Sequence, residues 1–211
     1  MIEYNKIDTV FERDTTGSKK LIEGQFRDET VKYLRNMPWR FTEKIDGTNI
    51  RVHWDGHKVE FGGRTDRAQI PAPLVNKLNE MFGGNEAEEL FEQKFGQNDV
   101  ILFGEGYGPK IQKGGLYRDD VSFIMFDVMI NGNYQPRASV ENIAKCFGVD
   151  VVPVIFVGTI TEAVDYVKVG RCSTIGRAPM EGLVGVPLVE LQDRCGKRLI
   201  VKIKACDFIL D

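Results

Sequence analysis

Two runs of strand-forming residues in this chain turn back on themselves at Xaa-Gly pairs. In NIRVHW-DG-HKVEFG, Ile50, Val52 and Trp54 fall on one side, with Arg51 and His53 on the other. That period of two is the mark of a strand with one covered face. Asp55-Gly56 predicts a two-residue type I′ turn, in which both central residues need positive φ. VSFIMFDVMI-NG-NYQPR repeats the device at Asn131-Gly132, and its first arm is apolar almost throughout, as a central strand covered on both faces requires. Two-residue turns join only antiparallel neighbours, so parallel-sheet folds are disfavoured from the outset.

The helical signals are short. Residues 73–84, PLVNKLNEMFGG, place Leu74, Leu78, Met81 and Phe82 at helical spacing before a glycine stop. EAEELFEQKFG follows with Leu90, Phe91 and Phe95 as its apolar side. ASVENIAKCFG offers Ser139 as N-cap and Gly148 as stop, and TEAVDYVKVG offers Thr161 and Gly170. The tail EGLVGVPLVELQDRCGKRLIVKIKACDF reads as strand, turn and strand, with Gly196 near the turn. The expected fold class is α+β: antiparallel β-sheets flanked by short helices, in a single domain over residues 1–211.

Composition narrows the setting. With 42% hydrophobic and 28% charged residues, the chain can bury a core and shows no sign of disorder. No apolar run approaches the roughly 20 residues that span a bilayer, and the polar N-terminus lacks a signal-peptide core. These features point to a cytoplasmic protein. The four cysteines, at 146, 172, 195 and 206, have neither zinc-site nor disulfide-framework spacing and are expected to be reduced and partly buried. His53 and His57 flank a turn and are expected to be solvated. The net charge of −3 argues against nucleic-acid binding by bulk charge. Arg194, Lys197, Arg198, Lys202 and Lys204 nevertheless gather basic character near the end of the chain, where phosphates could bind locally.

The stretch EKIDGTN (43–49) sets a lysine two residues before an Asp-Gly pair. At its ordinary pKa, only about one lysine in 2,500 is a neutral amine at pH 7. A nucleophilic lysine therefore needs neighbouring positive charge, a metal or desolvation. Local sequence leaves two readings of Lys44 open, a solvated turn residue or a nucleophile presented at a cleft. Further along stand Arg64 after the first hairpin, Glu105-Gly106 ending an apolar strand, and Phe126 in a central strand. Glu181-Gly182 leads into another apolar run, and Lys202-Ile203-Lys204 closes the series. Each alone has an ordinary structural explanation.

In this order, over residues 40–205, they resemble the covalent nucleotidyltransferases, the ATP-dependent polynucleotide ligases and mRNA capping enzymes, whose lysine motif is KxDG. Thr48-Asn49 after the core is most similar to the RNA ligases, in particular the phage-type branch acting on double-stranded RNA. The resemblance implies an ATP-grasp-like ligase adenylation domain that joins RNA ends in three steps. Lys44 attacks the α-phosphorus of ATP to give lysyl-AMP. The AMP passes to a 5′-phosphate end, and a 3′-hydroxyl then seals the strand. Lys202 and Lys204, on one face of a strand, would contact one phosphate and favour the neutral amine of Lys44. Glu181 is the implied carboxylate for Mg²⁺ or Mn²⁺. Asp46 is implied to assist transfer without ligating metal. Glu105 would accept from ribose hydroxyls, Phe126 would stack on adenine, and Arg64 would contact ribose or the 3′-hydroxyl end. The Glu43 backbone would read the adenine edge, and Ile45 and Asn49 complete the implied nucleotide contacts.

Family members usually carry a further OB-fold or helical domain after KxK, whereas here only ACDFILD follows Lys204. The implied protein is a monomeric catalytic domain in the cytoplasm (the host's, if phage-encoded), aided by a separate nucleic-acid-binding partner. Arg13, Lys19 and Lys20 are candidate substitutes for strand or triphosphate contacts. Two alternatives stand beside it: a DNA ligase or other polynucleotide nucleotidyltransferase, and a non-catalytic nucleotide- or RNA-binding module.

Overall fold

The structure, a computed structural model, describes residues 1–17 and 19–208. The last three residues of the ACDFILD tail lie outside the described residues. In chain order the strands are β1 (Asp8–Thr9), β2 (Phe11–Arg13), β3 (Leu21–Phe26), β4 (Trp39–Lys44), β5 (Thr48–Trp54), β6 (Val59–Gly62) and β7 (Val100–Tyr107). They continue as β8 (Ser122–Ile130), β9 (Asn133–Tyr134), β10 (Asp150–Val151), β11 (Val154–Gly158), β12 (Gly182–Pro187) and β13 (Val201–Lys204). The helices are α1 (Glu29–Tyr33), α2 (Ala72–Phe82), α3 (Asn85–Phe95), α4 (Arg137–Cys146) and α5 (Ile160–Lys168). The α+β class with mostly antiparallel sheets is the one the sequence predicts; among the described residues only the short β1–β13 and β10–β8 pairings are parallel.

The chain forms two compact units, crossing between them after Tyr4, between Ile45 and Asp46, and between Val152 and Pro153. The first comprises residues 1–4 and 46–152. Its sheet runs β10-β8-β7-β5-β6, with β9 paired to the end of β8. Helices α2, α3 and α4 cover it with Leu74, Leu78, Phe82, Phe91, Val140 and Ile143, which pack with Ile50, Val52 and Trp54 of β5 and Phe123 and Met125 of β8. The second comprises residues 5–45 and 153–211, with a sheet ordered β1-β13-β12-β4-β11. Trp39 and Phe41 of β4, Leu183 of β12 and Ile203 of β13 pack with Ile160, Ala163 and Val164 of α5.

The second hairpin forms as read. Ile130 pairs with Asn133, and Asn131 (φ 49) with Gly132 (φ 80) makes the two-residue I′ turn. The first hairpin has a longer loop, because Trp54 pairs with Val59 and leaves four residues between. There the Asp55 carboxylate accepts from the backbone N–H groups of His57 and Lys58, an Asx arrangement that outcompetes the tighter turn. Helix α5 begins at Thr159, not Thr161: Thr159 and Glu162 form a reciprocal capping box. Helix α4 starts after Pro136, with Ser139 inside its first turn. Gly148 and Gly170 follow their helices at positive φ, as expected.

Three smaller expectations change. All four cysteines are free, and all are exposed. His53 is not solvated: its Nε2 lies 2.6 Å from Asp99 Oδ1, with the side chain 14% exposed. Arg51, placed on the polar face of β5, is completely buried.

Candidate functional site

The second unit gathers the KxDG lysine, the second Glu-Gly pair and the KxK lysines on three adjacent strands. Strand β12 lies between β4 and β13, so Gly182 is opposite Lys44 on one side and Lys204 on the other. Alternation along β4 buries Trp39, Phe41 and Glu43 and leaves Lys44 half-buried on the opposite face. On β13 the same rule buries Val201 and Ile203 and turns Lys202 and Lys204 the other way. Glu181 reaches both flanking strands: Lys44 Nζ donates to its Oε2 at 2.7 Å, and Lys204 Nζ lies 3.2 Å from its Oε1. One carboxylate thus joins two ammonium groups that are far apart in sequence. Burial alone would push the Lys204 ammonium down. The Glu181 carboxylate, with Cys206 and Asp207 adding to it, carries its pKa above the ordinary lysine value.

Gly182 is what permits this spacing. Its φ is +151, and a Cβ there would lie 2.0 Å from the Ile203 carbonyl oxygen. Only a residue without a side chain lets β13 run this close at that point.

Glu43 sits on the buried face, 1% exposed. Its Oε2 accepts from the Thr174 N–H (2.9 Å) and Oγ (2.5 Å), while its Oε1 is buried with no partner among the described residues. The carboxylate ties the 171–180 segment to the strand that carries Lys44. Ile45 is 3% exposed and closes the motif's contribution to this unit.

The first unit holds the remaining predicted residues. Asp46 donates its backbone N–H to the Tyr117 hydroxyl at 3.2 Å. Gly47 is needed for close approach and not for a left-handed turn. Its φ is not positive, and a Cβ would lie 2.3 Å from the Gly106 carbonyl oxygen and 2.9 Å from Glu105 Cγ. The Asp-Gly pair therefore presses the start of β5 onto β7, where Thr48 pairs with Gly106 and Asn49 with Glu105. Asn49 Oδ1 is buried and has no hydrogen-bond partner among the described residues. Phe126 lies where β8 bulges: Phe103 pairs with Asp127 and Gly104 with Met125, leaving Phe126 unopposed. Arg64 lies two residues beyond β6 and is exposed.

Sequence reasoning missed Thr174, Tyr117 and Tyr4, which hold Glu43, Asp46 and the neighbourhood of Phe126. Hydroxyl residues in loops carry no periodic signal, so nothing local marks them. Arg51 carried no such signal either, because alternation puts it on the polar face of its strand.

Comparison with known proteins bears on this arrangement. Residues 37–204 match the family model described as RNA ligase. No curated sequence matches the chain significantly. Among solved structures, an apo variant of Naegleria gruberi RNA ligase superposes with a TM-score of 0.69 at 17% identity, covering 98% of this chain and 57% of that one. A variant of the same ligase with ATP and Mn gives 0.66 at 18% identity, covering 94% and 58%. That ligase with PPi gives 0.63 at 18% identity, covering 95% and 61%. The chain therefore spans less than two thirds of the length of these relatives, and at such identity the likeness establishes the fold.

Proposed function

This chain belongs to the RNA ligase family, and from that premise we propose that it joins RNA ends using ATP, with Lys44 as the nucleophile. The observation that carries the reading is the pair of contacts at Glu181, which holds the ammonium groups of Lys44 and Lys204 on one carboxylate from the strands on either side of β12. Phosphoryl transfer depends chiefly on positioning and on charge placed against phosphate oxygens. Two further cations on one strand face, Lys202 and Lys204, answer that need.

In the proposed reaction, the unprotonated Nζ of Lys44 donates its lone pair to the α-phosphorus of ATP. The N–P bond forms as the bond to the bridging oxygen breaks, pyrophosphate leaves with that electron pair, and the nitrogen releases one proton to solvent and becomes neutral in the phosphoramidate. The AMP is then transferred to a 5′-phosphate end, and a 3′-hydroxyl displaces it to close the strand. Glu105 is proposed for the ribose hydroxyls, Phe126 for the adenine face, Arg64 for the ribose or 3′-hydroxyl end, and Asp46 as an aid to transfer. The Glu43 backbone is proposed for the adenine edge, with Ile45 and Asn49 beside it. A phage-type preference for nicked duplex RNA, suggested by Thr48-Asn49, belongs to the same proposal, as do a cytoplasmic setting and a separate nucleic-acid-binding partner. No helix among the described residues is long and apolar enough to cross a membrane.

A divalent cation would supply charge neutralisation on the phosphate oxygens. The residues fit one that arrives with the nucleotide. Among the described residues no group of three or more His, Cys, Asp or Glu could enclose a metal, and Glu181 offers a carboxylate beside Lys44 and Lys204. Mg²⁺ commonly binds through one or two carboxylates plus phosphate and water. Glu181 already holds two ammonium groups, so taking up a cation requires those lysines to turn to phosphate. The solved ligase complexes with ATP and Mn support the choice of nucleotide and of a divalent ion.

The test is incubation with ATP labelled at the α-phosphate and Mg²⁺, followed by denaturing separation. Covalent label on the wild type and none on Lys44→Ala is the expected result. A folded wild type that takes no label would overturn the reading. Sealing of nicked RNA, nicked DNA and hybrid duplexes then ranks the acceptors.

A further inference from the structure

The first four residues lie on the unit that contains Phe126, and a wholly buried arginine holds them there. Arg51 has no exposed side-chain surface. Its Nε donates to the Gly63 carbonyl at 2.7 Å and one terminal nitrogen is 2.9 Å from Asp66 Oδ1. The other terminal nitrogen donates to the carbonyls of Met1 (3.0 Å) and Ile2 (3.2 Å). A buried guanidinium is costly unless its donors are satisfied, so this one commits part of its capacity to fixing the N-terminal backbone.

The strap ends at Tyr4, 7% exposed. Its hydroxyl donates to Asp127 Oδ2 at 2.5 Å, and its ring meets Phe126 edge-on, with centroids 5.0 Å apart at 66°. Phe103 (4.9 Å) and Tyr134 (6.0 Å) complete the aromatic surround. In a regular strand, consecutive side chains point to opposite faces, so a single ring would not engage both Phe126 and Asp127. At the β8 bulge it does. The bulge frees Phe126 from cross-strand pairing, and Tyr4 supplies the contact that pairing would have given.

We infer that Tyr4 is a positioning residue for nucleotide binding: bonded to Asp127 and preceded by backbone that Arg51 fixes at Met1 and Ile2, it sets the orientation of the Phe126 ring. The inference rests on the proposed role of Phe126 as the adenine platform. An edge-to-face partner restricts the rotation of a ring that would otherwise choose among rotamers, so less entropy is lost when a base stacks on it.

The experiment is a double-mutant cycle on Lys44 adenylylation, reading the KM for ATP and kcat separately on the full chain. Phe126→Ala is expected to raise KM roughly tenfold, within the range a lost base stack produces. Tyr4→Ala should raise it about fivefold with kcat changed less than about twofold, and Tyr4→Phe should give a smaller rise. In the Phe126→Ala background, Tyr4→Ala should add nothing, because its effect passes through the missing ring. Thermal melting of each variant separates this from general destabilisation. If Tyr4→Ala does not fold, the cycle is run with Tyr4→Phe under the same criterion. Additive effects, or a folded Tyr4→Ala with wild-type KM, would overturn the role of Tyr4 while leaving that of Phe126 intact. An unchanged KM in Phe126→Ala would overturn the adenine platform and the Tyr4 inference with it.

Discussion

Replacing Gly182 by alanine should break the spacing that brings Lys44, Glu181 and Lys204 together. The new Cβ would lie 2.0 Å from the Ile203 carbonyl oxygen, 2.9 Å from Lys204 Cα and 3.0 Å from the Ile203 carbonyl carbon. All three are backbone atoms, so no side chain can swing aside; β13 must retreat by about an ångström. The φ of +151 adds strain of about 1–3 kcal/mol for a residue with a side chain. Loosening one or two ladder hydrogen bonds between β12 and β13 adds about 0.5–1.5 kcal/mol each. The total is about 1.5–6 kcal/mol. With a urea slope of about 2 kcal/mol/M for a protein of this size, the midpoint should fall by about 1–3 M. Trp39, fully buried in β4 of the same unit, is a suitable fluorescence reporter. Gly196→Ala is the control, since Gly196 has φ +75 and nothing within 4 Å of the added Cβ, so only backbone strain of about 1 kcal/mol applies. Equal midpoints for Gly182→Ala and Gly196→Ala would refute the steric argument, and undiminished lysyl-AMP formation would refute its link to the site.

Two other perturbations test the surroundings of the lysines. Thr174→Val removes the shorter of the two hydrogen bonds to buried Glu43 and should cost about 1–3 kcal/mol in urea unfolding, with Glu43→Gln in the same background recovering part of the loss. Because Lys204 is raised above 10.5 in the fold, its contribution is complete below that pH and disappears as pH climbs through the raised value. The wild type should therefore lose more stability between neutral pH and about pH 11 than Lys204→Met does; equal losses would show that the Glu181 contact contributes nothing.

Local chemistry made much of the fold legible. The Asn131-Gly132 turn was readable because both residues accept positive φ. Asp55-Gly56 misled because the Asp55 carboxylate accepts from the backbone N–H groups of His57 and Lys58, which holds the loop in its longer form. Thr161 lost the cap to Thr159 because only Thr159 has a glutamate three residues on to complete a capping box. Nothing near Gly47 in the sequence shows why a glycine stands there, since the approaching atom belongs to a strand nearly sixty residues away in the chain.

Alternation, turn residues and the order of charged motifs were enough to determine the α+β class, the two antiparallel strand pairs and the resemblance to the RNA ligase family. Periodicity says which face a residue occupies, and it put Lys202 with Lys204. It does not say which strands become neighbours. Only the tertiary structure decided that β12 lies between β4 and β13, because that pairing depends on packing among residues remote in sequence. The Lys44–Glu181 contact joins positions 137 residues apart, and the bulge at Phe126 exists only because β7 and β8 fall out of register at Gly104. Such contacts depend on side-chain packing between strands, which no window of the sequence contains.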